Sequence, residues 1–193
     1  MAGRRTVGGY RIIDLCLWLL IIAVYETVAT KAAMRFTNQP YWVSVVPAVT
    51  AIVMMRWGSP GLIHAAAGGL ITCFAAGAGK EICLIYCAGN LLSGAALLII
   101  KTFGKERLKN DTLKSLLYAF TVAALMLFGR VGAALAFGRP FEQTAGLLGP
   151  EAITLLFTVM IIWIVRRLDG VFEDQISYLL RVQKESEEEK GGY

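Results

Sequence analysis

The stretch IIDLCLWLLIIAVYETVATKAAM, Ile12 to Met34, decides the class of the fold. A helix needs about 20 mainly apolar residues to cross the hydrocarbon core of a bilayer. This run meets that length. It is too long for the apolar core of a signal peptide, and no small-x-small cleavage site followed by a soluble domain comes after it. It is expected to be a first membrane helix.

Similar runs follow along the chain. Tyr41–Met55 is shorter and carries Pro47, with Trp42 and Trp57 bracketing it like interface anchors. Gly61–Ala78, Ile82–Ile100, Leu113–Phe137 and Leu147–Val165 complete the set, the fifth ending near Arg130. The reading is an all-α, polytopic membrane protein with six transmembrane helices. A re-entrant second segment is the alternative to a full second span.

Composition agrees. Hydrophobic residues make up 56% of the 193 positions and charged residues only 17%, and mean hydropathy is +0.60. A soluble domain carries about a quarter charged residues. The charges cluster at 1–11, 101–114 and 166–190. Charge at mid-membrane costs about 2.5 kcal/mol or more per residue, which explains the gaps between the clusters.

Six spans with the N-terminus inside put 14 of the 19 basic residues on the cytoplasmic side. Lys31, Arg35, Lys80, Arg130 and Arg139 are left toward the outside. That asymmetry fits both the count and an orientation with both termini in the cytoplasm. It also accounts for the net charge of +5 without a nucleic-acid partner. The expected organisation is a six-helix membrane domain over 1–168 and a cytoplasmic segment over 169–193. In that segment Leu168, Phe172, Ile176, Leu179 and Val182 recur at helical spacing, as in an amphipathic surface helix. The bacterial plasma membrane is the expected location.

Small residues mark packing faces. Gly61, Ala65, Gly69, Cys73 and Gly77 recur every four residues and form one ridge. Such ridges let helix backbones approach closely in lipid. The ridge fits packing within the bundle, or docking onto a second membrane subunit. Gly89 with Ser93, and Gly129 with Ala133, repeat the spacing.

Ionisable groups inside a span are functional candidates. Glu26 lies roughly 21 Å along the first span from its inner end, at 1.5 Å per residue. Arg130 lies toward the outer end of the fifth span, and Glu151 opens the sixth, where a helix amino end suits a carboxylate. Tyr86 and Asn90 are four apart and share a face of the fourth. The loop from Arg35 adds Asn38, Tyr41 and Trp42. Three readings fit these groups: an outward-facing small-molecule pocket, structural ion pairs such as Glu26 with Arg130, or interfacial snorkelling of Lys31 and Arg35. His64 reads as a hydrogen-bonded core residue. Cys16, Cys73, Cys83 and Cys87 read as inert thiols, without metal-site spacing. No catalytic dyad, phosphate loop or cofactor motif is found, so no enzyme activity, metal or cofactor is expected.

The layout resembles the substrate-binding membrane subunits, or S components, of energy-coupling factor transporters. The likeness covers the whole chain in size, span count and orientation. Its most similar passage is Val46 to Gly77, with Pro47, the turn Arg56-Trp57-Gly58-Ser59-Pro60-Gly61 and the Gly/Ala-rich third span; Tyr86 to Gly94 adds to it. These are patterns of composition and layout. The resemblance implies vitamin or precursor uptake through a pocket near the outer face, gated by the first loop, Arg35–Trp42. It implies partner ATPases and a transmembrane coupling subunit docked on an Ala-x-x-x-Ala patch, here Ala29 and Ala33. Those alanines lie further toward the outer end than the family pattern has them. The histidine-containing N-terminal segment of the metal-transporting branch is not present, which argues against nickel or cobalt. The rival reading is a non-transporting scaffold similar to the cell-shape membrane protein family MreD.

Overall fold

The computed structural model describes residues 7–36, 43–145 and 148–191. Every element in them is helical. In chain order these are α1 (Val7–Arg35), α2 (Val46–Trp57), α3 (Gly61–Ala76), α4 (Lys80–Leu91), a 3-10 turn (Leu92–Ala96), α5 (Leu97–Phe103), α6 (Lys105–Asn110), α7 (Thr112–Ala136), α8 (Phe141–Ala145), α9 (Leu148–Val165) and α10 (Gln175–Gly191).

Among the described residues three stretches are long and apolar enough to cross a membrane: Val7–Arg35, Lys80–Phe103 and Thr112–Ala136. This is the pattern of a multi-pass membrane protein. Val46–Trp57, Gly61–Ala76 and Glu151–Val165 are apolar but shorter. Helix α2 has 12 residues, about 18 Å at the helical rise, against a hydrocarbon core of about 30 Å. Of the expected span Tyr41–Met55, positions 41 and 42 lie outside the described residues, positions 43–45 are not helical, and the helix begins at Val46. The fifth helix runs on to Ala136, past the expected end near Arg130.

The centre of the bundle is α2. Every residue from Val46 to Arg56 is buried. A helix apolar all round belongs inside a core, and this one is wrapped by α1, α3, α7 and α9. Pro47 fits the first helical turn, where its missing N–H is not needed, and Gly58 (φ 76°) ends the helix.

The α3 ridge faces inward from Gly61 to Cys73 and serves internal packing there, while Gly77 is exposed just past the end of the helix. Ala65 is fully buried and Cys73 nearly so. A Cβ placed on Gly61 would stand 2.4 Å from Met54 Cγ, and one on Gly68 2.6 Å from Val46. Only the lack of a side chain lets α3 lie this close to α2.

The chain does not continue as a helix through Asp169. Residues 166–174 form turns, with Gly170 at φ 72°, and α10 begins at Gln175. Phe172 is accordingly not on an amphipathic surface stripe. It is fully buried against the ring of Tyr118, 6.2 Å between centroids. Ile176 and Leu180 remain exposed on α10.

Candidate functional site

Among the described residues two clusters of charged and polar side chains stand out in the bundle, one at each end of α2. The first centres on Glu26, which is fully buried on α1. Its Oε1 accepts hydrogen bonds from Ser44 Oγ at 2.8 Å and the Val45 amide at 2.7 Å. Its Oε2 lies 3.0 Å from Thr72 Oγ1 on α3. The Ser44 amide donates in turn to Thr154 Oγ1 on α9, at 3.2 Å. Val45 is the residue that caps α2. A carboxylate from α1 thus occupies the amino end of α2, where unpaired N–H groups and the helix dipole favour negative charge.

Arg130 on α7 forms the other half of this cluster and is 4% exposed. Its Nε donates to Asn90 Oδ1 at 2.7 Å, and its Nη1 is ion-paired with Glu151 on α9. The guanidinium carbon lies 4.6 Å from the centre of the Tyr86 ring, a cation–π contact. Asn90 Nδ2 donates to the Ala65 carbonyl at 2.8 Å. The expected pairing of Arg130 with Glu26 is not the one formed. Arg130 bonds Glu151, while Glu26 is filled by hydroxyl and amide donors, and the two charges interact only across space.

Glycines make this arrangement possible. A Cβ on Gly129 would fall 2.0 Å from the Gly89 carbonyl oxygen, and one on Gly89 2.5 Å from the Arg130 nitrogen. The backbones of α4 and α7 therefore touch where they cross, which sets Asn90 beside Arg130. Gly69 of α3 closes the third side, since a Cβ there would stand 2.9 Å from Asn90 Nδ2.

Of the residues singled out in the sequence, Glu26, Tyr86, Asn90, Arg130 and Glu151 lie in this cluster. Arg35 does not join it; it is exposed at the end of α1. Asn38, Tyr41 and Trp42 lie outside the described residues. Ala29 and Ala33 are half-buried on α1. Sequence reasoning missed Ser44, Thr72 and Thr154, whose short hydroxyls carry no signal of their own.

The second cluster, at the other end of α2, was missed as a site. Asp14 and Arg56 are both buried and doubly bonded, Nε to Oδ2 at 2.8 Å and Nη2 to Oδ1 at 2.6 Å. Trp57 Nε1 adds a bond to Asp14 Oδ2 at 2.6 Å. Arg56 Nη1 donates to the carbonyls of Gly170 and of Val171, the latter at 3.0 Å. Gln175 is fully buried beside them, donating to the Gly170 carbonyl at 2.8 Å and accepting from Tyr10 at 3.3 Å. The turn 166–174 is thereby fastened over this end of the bundle. Asp14, one of only two acidic residues in the first 80, was the available signal.

Outside the bundle Lys105 pairs with Asp174, and Lys109 with Glu173 at 2.7 Å. Partial burial raises the Asp174 carboxyl, but hydrogen bonds from Lys105 and from Ser177 outweigh it and hold it below the usual carboxylate value. His64 takes up its ring nitrogens on backbone, with Nε2 2.9 Å from the Leu15 carbonyl. Among the described residues no group of three His, Cys, Asp or Glu side chains converges as a metal site would.

No family model matches the chain, and neither a curated protein nor a solved structure matches it.

Proposed function

We propose that the chain crosses the bacterial plasma membrane six times with both ends in the cytoplasm. We read it as the substrate-capture subunit of an uptake transporter of the energy-coupling factor kind. The three long apolar stretches together with the shorter apolar helices α2, α3 and α9 support the span count, and the charge asymmetry supports the orientation. In that orientation the Glu26–Arg130 cluster belongs to the outer side and the Asp14–Arg56 cluster to the inner side.

One observation carries the functional reading. A carboxylate on α1, a guanidinium on α7, and an amide and an aromatic ring on α4 gather in one cluster, which the proposed orientation puts near the outside: Glu26, Arg130, Asn90 and Tyr86. Polar groups this costly in a membrane are usually retained for a ligand or a pathway. The ligand would be a small polar or amphipathic molecule, such as a vitamin precursor, bound and not chemically changed. The sequence holds no phosphate-binding loop, so driven uptake would rest on partner ATPases and a membrane coupling subunit.

The rival is a membrane scaffold of the MreD kind. It is favoured by the fact that Glu26 already accepts its hydrogen bonds from the protein itself. Mass spectrometry of small molecules released from the purified protein separates the two, backed by thermal shifts across a vitamin panel. A released compound that raises the melting temperature supports capture. No released compound and no shift across the panel would sink it.

A further inference from the structure

The face of α1 turned away from the bundle has its own chemistry. Leu17, Ile21, Val24, Val28, Lys31 and Arg35 follow one another at steps of four and three, so they line one side of the helix. All six are exposed. Along the middle of this face runs a shallow, open apolar groove lined by α1 alone, by Leu20, Ile21, Val24, Tyr25, Val28 and Ala29. Lys31 and Arg35 stand just past its end, one helical turn apart. Neither has an acidic partner among the described residues, and the adjoining positions 37–42 contain no acid.

We propose that this face binds an anionic phospholipid. One acyl chain lies in the groove, and Lys31 and Arg35 hold the phosphate between them. The order of the groups fits: an apolar channel about 14 Å long, from position 20 to 29, and then two cations within the next two turns. Ammonium and guanidinium one turn apart can share one phosphate through charge-assisted hydrogen bonds. A partner helix suits the face less well. Helices associate in lipid through small residues that let backbones meet, and Ala29 is the one small residue among those lining this groove. A flexible chain can follow such a surface where a second helix would ride above it. The site is separate from the Glu26 cluster, which belongs to the buried side of α1, so it does not depend on the transporter reading.

The test is native mass spectrometry of the full chain in mild detergent. It is titrated separately with phosphatidylglycerol and with phosphatidylcholine of the same acyl chains. Phosphatidylglycerol should be retained at least about tenfold more strongly, since it carries a net negative charge, whereas the quaternary ammonium of phosphatidylcholine offsets its phosphate and is repelled by the two cations. Lys31→Gln with Arg35→Gln should erase the preference, and Val24→Trp, which fills the groove, should weaken retention of both lipids. Equal retention of the two lipids, or a preference unchanged in the Gln pair, overturns the proposal. So does a dimer that excludes lipid and is broken by Val24→Trp. Both variants alter exposed side chains, and unchanged melting temperatures check that they fold.

Discussion

Glu26 caps a helix to which it does not belong: its Oε1 accepts the Val45 amide, at the start of α2, at 2.7 Å. Twelve residues earlier on the same helix, Asp14 holds Arg56 at the end of α2. Two carboxylates of α1 therefore fix both ends of the central helix, and the roughly 18 Å between them on α1 matches the length of α2. The charges also suit the dipole of α2, negative at its amino end and the Arg56 cation at its carboxyl end.

Glu26→Ala should lower stability by about 2 kcal/mol or more, because it strands the Val45 amide and the Ser44 hydroxyl without an acceptor; Thr72 keeps the Gly68 carbonyl at 2.9 Å. Glu26→Gln keeps one acceptor oxygen and should cost less. Thermal unfolding in detergent measures both. Equal melting temperatures for the alanine variant and the wild type would contradict the capping role.

Asp14→Ala leaves the Arg56 charge buried without its partner, a loss of about 3–5 kcal/mol. Removing both charges, as Asp14→Leu with Arg56→Met, should recover most of it. Limited proteolysis within 166–174 should nonetheless rise most in the double variant, since it removes the Arg56 bonds to the Gly170 and Val171 carbonyls. If the double variant is less stable than Asp14→Ala, the account of this pair fails.

Gly129→Ala drives a methyl group into the Gly89 carbonyl. Two backbones cannot yield as a side chain would, so a loss at the upper end of about 1–3 kcal/mol is expected, with loosening of the Asn90–Arg130 bond. Gly132, with nothing within 4 Å of its added Cβ, is the control. Gly132→Ala should be neutral or slightly stabilising, as alanine favours the helix. Comparable losses at the two positions would rule out the helix crossing as the cause.

The multi-pass membrane class and the helical spacing were legible in the sequence, because hydropathy and a fixed rise per residue encode them. The shared face of Tyr86 and Asn90 was legible for the same reason, and both residues do touch Arg130. Partner choice was not. Arg130 lies 21 positions from Glu151, and Asp14 lies 42 from Arg56; only the packing of helices decides which charges meet. Phe172 fell on a helical stripe by spacing, yet the turn at Gly170 breaks the helix and sends the ring into the core. Periodicity cannot register a break that depends on one residue's φ.

Asp174 gives the account a pH dependence. Its carboxyl is held below the usual value while paired with Lys105. Its contribution is therefore full above the unfolded carboxyl pKa, near about 3.9. It is lost as pH falls through the lower folded value. Protection of α10 amides from exchange should stay level from neutral pH down to about 4 and then drop. Asp174→Asn should be weaker throughout and should flatten that drop. An acid transition unchanged in the Asn variant would assign it elsewhere.

The most direct measurement is ligand affinity against stability in Arg130→Gln. The guanidinium is the charge that gathers Asn90, Glu151 and Tyr86. With the compound released from wild-type protein as probe, calorimetry should show binding lost by about a hundredfold or more in a variant that still folds and melts cooperatively. Undiminished affinity in that variant, with only a lower melting temperature, would make the cluster structural and contradict the capture function.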